Sequence, residues 1–283
     1  VDNVGNLICY KKGKKSSKKV MISAHVDEVG IQIMKKIDER KYSFKVLGNI
    51  KCWNLLQQRM RSGNKMGIIF ANDETNIKAY NYSNLFINII STDDNVNIGD
   101  VFSFDNKFEE SNEYICGKAI DNRICCNILI DFINNMPCLD NDIYCVFTVQ
   151  EEIGMRGIRV AKTNIRPNIY INLDVSPESE MNNIEIKKGV GIVSSNSIGV
   201  SSCDLFKLMV DVAKKNNIIH QIEVSDCGTN ELIISNEKDD GTKTIAISLP
   251  CKYIHTANTI VHKNDIKEFK KLLEIYIKNT REH

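Results

Sequence analysis

Segments typical of strands and segments typical of helices alternate along most of this chain of 283 residues, and few folds accept that order. Short runs rich in valine, isoleucine and aromatic residues predict strands, whereas longer amphipathic runs predict helices. Chains with this order form α/β domains, in which helices cover a mostly parallel sheet. The predicted strands are residues 19–25, 142–149, 168–174, 218–224 and 244–249, and the predicted helices are 120–136, 203–216 and 265–280, the last with Asn264 as its N-cap.

The stretch from residue 31 to residue 113 has a different pattern. It contains short alternating runs, such as YSFKVLG, GIIFAN, LFINII and DVFSF, which lie between turn signals and include no convincing helix. A series of short strands is typical of a small β-barrel or sandwich. We therefore predict an α/β domain formed by residues 1–30 and 114–283, into which residues 31–113 insert a small β-barrel.

Composition and charge exclude several classes of partner. The formal net charge is +1, so no overall field favours a nucleic acid or an anionic membrane surface. No apolar run reaches the ~18 residues of a membrane helix. The ten cysteines form no CxxC spacing, which favours reduced thiols over a disulfide framework and indicates a cytoplasmic protein. The opening, VDNVGNLICY, has no signal-peptide character and resembles a strand entered in mid-fold, so we expect an N-terminal segment before it.

Polar residues gather where the predicted strands end. In open α/β sheets, ligands bind at the carboxyl ends of the strands, so these side chains can converge. Two imidazoles and several carboxylates are the ligands that zinc, cobalt and similar divalent ions prefer. The residues are His25 and Asp27 after the first strand, Glu151 and Glu152 after the second, Asp174 at the end of the third, His255 after the last, and Asp121 at a helix start.

Each of these residues also has an ordinary structural interpretation. Taken alone, His25 is a hydrogen-bonded loop residue, Asp121 is a helix cap, and Asp174 is a turn residue. Their joint placement at the strand ends of one domain favours a metal site. Adjacent side chains in an extended segment point to opposite sides, so Glu151 and Glu152 cannot share one task by simple symmetry.

Five runs, in chain order, resemble the M42 family of metallo-aminopeptidases, which includes glutamyl aminopeptidases and the tetrahedral-shell peptidases. The runs are SAHVDEVG, GKAIDNR, TVQEEIGMRG, NLDVSP and YIHT, and the match covers nearly the whole chain. In the inserted segment, GNIKCWNLLQQRM and INIISTDDNVNIGD resemble parts of the dimerisation domain of that family. The resemblance implies a hydrolase that removes N-terminal residues from peptides. It also implies dimers formed through residues 31–113, and a shell of twelve chains as a further assembly.

Carried over residue by residue, the resemblance implies two divalent metal ions per chain, with Zn²⁺ as the first candidate and Co²⁺ as the second. It makes His25 and Asp174 ligands of one ion. It makes Glu152 and His255 ligands of the other. Asp121 then bridges the two ions.

The same resemblance gives the two remaining residues roles outside this ligand set. Glu151 is the general base, since the proton released by an activated water molecule needs an unligated acceptor. Asp27 orients His25 through the ring nitrogen that faces away from the metal. Two residues depart from the family pattern, because Asn122 and Asn230 stand where aspartates are common. Asn230 lies near the expected substrate pocket, so the preferred substrate side chain stays open.

Two other functions remain open at this point. A related metal-dependent amide hydrolase, such as a deacylase of N-acyl substrates, needs the same ligands and base. A non-catalytic scaffold of the same fold is compatible with the altered pocket residues, although a scaffold needs no intact ligand set. A glycosidase is disfavoured, since its two carboxylates must flank one bond at about 5–10 Å from each other, and adjacent residues that point apart do this poorly.

Overall fold

The structure is a computed structural model that describes residues 1–72, 81–91, 95–225 and 241–280. One part of the chain forms a ten-stranded mixed sheet flanked by helices, and another part forms a closed barrel of six strands. The strands, in chain order, are β1 (Leu7–Lys11), β2 (Lys19–His25), β3 (Gly30–Lys36), β4 (Lys41–Leu47), β5 (Arg59–Ser62), β6 (Lys65–Ala71), β7 (Leu85–Ile89), β8 (Val101–Phe104), β9 (Glu109–Glu110), β10 (Tyr114–Gly117), β11 (Asp142–Thr148), β12 (Ile169–Pro177), β13 (Val190–Ser195), β14 (His220–Val224), β15 (Lys243–Lys252) and β16 (Thr259–His262). The helices are α1 (Cys52–Leu55), α2 (Ile120–Asn135), α3 (Arg156–Ile165), α4 (Cys203–Lys215) and α5 (Lys263–Asn279).

The centre of the sheet is parallel, as predicted. Strands β11 and β12 flank β2, β15 lies beyond β12, and all four run in one direction. On the outside, β1 pairs with β11 and β16 pairs with β15, both antiparallel. The α/β class with an inserted barrel is therefore confirmed, and the sheet as a whole is mixed because antiparallel strands extend it. The carboxyl ends of the four parallel strands meet at one edge of the sheet.

The two faces of the sheet bury different helices. Along β2, Ile22 packs in the large core with α2, whereas Met21 packs with α3 on the opposite face. This follows from the alternation of side chains along a strand. Phe132 of α2 and Phe269 of α5 are 3% and 0% exposed, and burying each such side chain contributes roughly 1.5–3 kcal/mol. The core therefore holds the parallel strand ends in a fixed arrangement.

The barrel closes through the neighbouring strands β3, β4, β7, β6, β5 and β8. Its interior is apolar, with Ile31, Ile33 and Phe102 at most 1% exposed, while Met34, the residue after Ile33, is 54% exposed. The short helix α1 lies in the stretch for which the sequence predicted no helix. The barrel strands fall between Gly30 and Phe104, and the division of the chain into domains at residues 30 and 113 stays a proposal.

Some local structure differs from the prediction. Helix α3 was not predicted, because the residue before it, Met155, is left-handed and caps nothing with its side chain, so the usual start signal is missing. The N-cap of α5 is His262 rather than Asn264, since the His262 ring accepts the N–H of Asn264. Within the described residues, none of the helices combines the length and the apolar character that crossing a membrane requires.

Candidate metal centre

The seven predicted site residues lie together at the carboxyl edge of the parallel strands. Six of them are on or next to strands whose ends meet there, and one comes from the first turn of a helix. They are His25 at the end of β2, Asp27 two residues later, Asp121 in α2, Glu151 and Glu152 after β11, Asp174 near the end of β12 and His255 after β15.

The carboxylate of Asp121 lies between the two imidazoles. Its Oδ1 atom is 3.1 Å from Nε2 of His25, and its Oδ2 atom is 3.1 Å from Nε2 of His255. Asp121 is buried, so water competes little for these oxygens. Each oxygen of one carboxylate thus faces a different ring, which is the arrangement that a carboxylate shared by two cations needs.

The ring of His255 is fixed by a backbone carbonyl group in the segment that follows β4 of the barrel. Its Nδ1–H donates to the backbone oxygen of Asn49 at 2.8 Å. His255 itself has a left-handed backbone, with φ of 57°, which turns its side chain toward this edge. Its Nε2 atom is then left facing Asp121 and also lies 3.5 Å from Oε2 of Glu152. A ring nitrogen whose partner nitrogen is already hydrogen-bonded is well placed to bind a metal.

The ring of His25 is 2% exposed and faces several carboxylates. Its Nε2 atom lies 3.8 Å from Oδ1 of Asp174 and 3.9 Å from Oε2 of Glu151. Its Nδ1 atom lies 3.2 Å from the backbone oxygen of Asp27 and 3.6 Å from the Oδ1 atom of that residue. When Nδ1 carries the proton toward Asp27, Nε2 keeps its lone pair for a metal.

Asp27 also holds the segment that follows β11. Its Oδ1 accepts the backbone N–H of Glu151 at 3.1 Å, and its Oδ2 accepts the backbone N–H of Glu152 at 3.1 Å. The sequence predicted that Asp27 orients His25, and it gave no sign that Asp27 also holds the backbone of the two glutamates. One carboxylate therefore connects the imidazole to both glutamates.

The groups at this edge shift the pKa values of one another. Burial opposes the charge of Asp121, but hydrogen bonds with His25 and His255 outweigh burial and hold the pKa of Asp121 below its usual range. Burial and the negative charge of Asp121 raise the pKa of Glu152 to about 7. Burial lowers the pKa of both histidines, yet the hydrogen bond of each ring to Asp121 and the negative charges of the surrounding carboxylates together outweigh it. The pKa of His255 therefore rises to about 9, and that of His25 rises well above its usual range.

The donor atoms present fit a divalent metal ion. His25, Asp121 and Glu152 each offer one atom, and these atoms all lie within 4.8 Å of one another. Among the residues that the structure describes, Oε1 of Glu152 is buried without a hydrogen-bond partner. A buried carboxylate oxygen in this position is costly unless it is paired, and a bound cation supplies the pairing. Imidazole and carboxylate together suit zinc and cobalt.

Sequence reasoning missed several supporting contacts. The Asn49 carbonyl group that fixes His255 carries no sequence signal, because every residue has one. At Gly48, an added Cβ would lie 3.2 Å from Oε2 of Glu152, so the glycine leaves room for that carboxylate. The side chain of Asn122 donates to the carbonyl oxygen of Leu173 at 2.8 Å and so connects α2 to the strand residue before Asp174. Asn230 lies outside the described residues.

Comparison with known proteins adds evidence of a different kind. A family model described as M42 glutamyl aminopeptidase matches residues 5–272 of this chain. The lysyl aminopeptidase of Pyrococcus furiosus is 27% identical over 305 residues, which include 99% of this chain and 87% of that protein.

Two solved structures have nearly the same fold. The aminopeptidase APDkam598 of the archaeon Desulfurococcus kamchatkensis aligns with a TM-score of 0.91 and 26% identity, covering 99% of this chain and 84% of that one. The TET1 peptidase of Pyrococcus horikoshii, which can assemble into a tetrahedron or a large octahedral shell, aligns with a TM-score of 0.88 and 26% identity, covering 99% of this chain and 88% of that one.

Proposed function

The chain belongs to the M42 peptidase family, and we propose that it removes N-terminal residues from peptides with the help of two divalent metal ions. The observation that carries this proposal is the position of Asp121, whose two oxygens face the rings of His25 and His255 at 3.1 Å each. A single carboxylate placed in this way is suited to two cations rather than one.

The proposed ligands divide into two sets that share Asp121. His25 and Asp174 form one set, in agreement with the 3.8 Å between Nε2 and Oδ1. Glu152 and His255 form the other, in agreement with the 3.5 Å between Oε2 and Nε2. When bound, the ions polarise the scissile carbonyl group and lower the pKa of a water molecule toward ~7. We propose Zn²⁺ first and Co²⁺ second, because both accept nitrogen and oxygen ligands.

Glu151 is the proposed general base. Its carboxylate is buried and reaches the ligand set from one side, with Oε2 at 3.9 Å from Nε2 of His25. It accepts a proton from the attacking water molecule and then donates it to the nitrogen of the departing peptide as the C–N bond breaks. Asp27 keeps Glu151 in place by accepting its backbone N–H. Glu152 cannot replace Glu151 in this role, because its carboxylate faces His255.

Substrate preference tests this proposal against its alternatives. We expect the protein to cleave aminoacyl substrates with a free amino group, to lose this activity when a chelator removes metal, and to regain it with Zn²⁺ or Co²⁺. Cleavage of N-acyl substrates instead would identify a deacylase with the same ligands. Bound metal without cleavage of either aminoacyl or N-acyl substrates would identify a scaffold. Absence of bound metal would contradict the proposed site.

We also propose that the protein forms dimers through the barrel, with a shell of twelve chains as the larger assembly. The outer wall of the barrel supports this proposal. Met34 of β3 is 54% exposed, Ile98 is 72% exposed and Val101 of β8 is 47% exposed. Strands β3 and β8 are neighbours, with Gln32 opposite Val101, and Ile98 lies three residues before β8; we call Met34, Ile98 and Val101 the β3–β8 apolar patch. A second copy of the chain is the proposed partner, because contiguous apolar surface is typical of interfaces.

A further inference from the structure

Glu223 is a buried carboxylate outside the metal centre. It lies on β14 and is 3% exposed. Within the described ranges its partners are two hydroxyl groups: Ser176 of β12 donates to Oε1, and Ser248 of β15 donates to Oε2. Burial raises the pKa of Glu223, and these hydrogen bonds offset the effect only in part. A carboxylate in such a place is costly, so its presence requires an explanation.

The side chain of Glu223 crosses a neighbouring strand to reach its partners. Strand β14 pairs with β13, and β13 lies between β14 and β15. On β13, Gly191 stands opposite Ser248 in the strand register. A Cβ atom added at Gly191 would lie 2.0 Å from Oγ of Ser248 and 3.3 Å from Oε2 of Glu223. The absence of a side chain at Gly191 is therefore what makes room for the contact.

Both serines lie beside Asp174. Ser248 is the register partner of Asp174 in the parallel pair of β15 and β12. Ser176 follows Asp174 by two positions on the same strand, so the two side chains point to the same face. The carboxylate of Glu223 therefore connects three strands at the place where Asp174 approaches His25.

We propose that Glu223 is a positioning residue for Asp174, which it holds in the geometry of a metal ligand by fixing the ends of β12 and β15 through Ser176 and Ser248. This inference rests on the proposed function, in which Asp174 and His25 bind one of two ions. Removing the carboxylate leaves two buried hydroxyls to find new partners, and the end of β12 loses its connection to β14. Loss of a group that orients a ligand typically costs about 10–100-fold in metal affinity.

Metal affinity of the full chain, measured by competition with a chelator after metal removal, tests this inference without an activity assay. We expect Glu223→Ala to bind one Zn²⁺ ion about 10–100-fold more weakly and to keep the affinity of the other ion. Glu223→Gln keeps the shape and can accept from one serine while donating to the other, so its affinity should stay within a few-fold of the parent. The absorption spectrum of bound Co²⁺ should change for the alanine variant and not for the glutamine variant.

A matched control distinguishes a positioning role of Glu223 from a general loss of protein stability. Asn141 is equally buried and makes two side-chain hydrogen bonds at the opposite edge of the sheet, to Ser17 and Thr280. Asn141→Ala should lower the melting temperature and leave both Zn²⁺ affinities unchanged. Should Glu223→Ala fail to fold, Ser248→Ala removes one of the two contacts and should weaken the same single ion.

The outcomes distinguish this inference from the proposed function. If folded Glu223→Ala binds two ions with parent affinity, the positioning role alone is overturned. The same result for Ser248→Ala overturns it where Glu223→Ala does not fold. Equal loss of metal in Asn141→Ala also overturns it, because the effect is then one of stability. A parent protein that binds fewer than two ions contradicts the proposed function and the inference together.

Discussion

The carboxylate of Asp27 accepts the backbone N–H of Glu151, with 3.1 Å between Oδ1 of Asp27 and N of Glu151. Its other oxygen accepts the backbone N–H of Glu152, and Oδ1 also lies 3.6 Å from Nδ1 of His25. Burial opposes the charge of Asp27, but the contact with His25, the positive charge of that ring and the backbone N–H groups of Glu151 and Glu152 together outweigh burial and lower the pKa, so Asp27 is ionised at neutral pH. A proposed metal ligand and the proposed base are thus held by one side chain.

Replacement of Asp27 by Asn tests this double role. The amide oxygen can accept one of the two backbone N–H groups, while the amide nitrogen opposes the other. We expect turnover to fall by about 10–100-fold and the free energy of unfolding to fall by about 1–3 kcal/mol. Asp142→Asn is the control, because Asp142 accepts the N–H of Gly13 at the amino end of β11, away from the centre. Parent turnover in Asp27→Asn would show that neither contact matters.

Loss of the shared carboxylate should remove metal. In Asp121→Ala, two cations would face each other without the negative charge between them, and repulsion rises steeply at short distance where water is excluded. We expect at least one of the two ions to be lost in elemental analysis, with circular dichroism unchanged. Two ions per chain in this variant would refute the bridging role.

Metal binding should release protons. The pKa of His255 is about 9 and that of His25 is well above its usual range, so both rings are positively charged, with a proton on each nitrogen, at neutral pH before metal enters. Ligation requires neutral rings and ionised carboxylates, and Glu152, whose pKa is about 7, is about half protonated at that pH. Binding at about pH 7 should therefore release about two to three protons, and affinity should increase as pH rises toward about 9. Calorimetry in buffers of different ionisation enthalpy measures this number. A binding enthalpy that does not depend on the buffer would contradict it.

The sequence predicted the parts of this protein that local patterns encode. β2 spans the predicted residues 19–25, and α2 ends one residue before the predicted limit, because a strand-like run and Pro137 mark these elements directly. The family resemblance, which rested on five short runs, agrees with a family match over residues 5–272. The candidate metal-binding side chains could also be predicted from the sequence, since imidazoles and carboxylates at strand ends are typical metal ligands.

Contacts made by backbone groups, and contacts that depend on the small size of a glycine, could not be predicted from the sequence in this way. The Asn49 carbonyl group lies 206 positions from His255 in the chain, and it belongs to the segment next to the barrel. Gly191 matters because of what is missing there, which has meaning only once Ser248 and Glu223 are known to meet beside it. Such features arise from tertiary packing, and no periodicity or motif reports them.

The β3–β8 apolar patch should control dimer formation. Placing a charge in a buried apolar interface is unfavourable, so the double variant Met34→Glu, Val101→Glu should shift the full chain toward monomer in sedimentation at micromolar concentration. Val200→Glu is the control, because Val200 is 66% exposed and lies on the chain between β13 and α4, outside the barrel. A parent protein that is itself a monomer, or a double variant that stays a dimer, would refute this assignment of the interface.

Replacing each of the two neighbouring glutamates by Gln should reduce activity for a different reason. Glu151→Gln keeps size and hydrogen bonding but removes the proton acceptor, so both metal ions should stay while turnover falls by about 10²-fold or more. Glu152→Gln removes a charge 3.5 Å from His255, so one ion should be lost first, and activity should follow metal occupancy. Metal content and rate are measured on the same two preparations, and each variant serves as the control for the other. If Glu151→Gln turns over at the parent rate, Glu151 is not the base, and if Glu152→Gln keeps both ions at parent affinity, Glu152 is not a ligand.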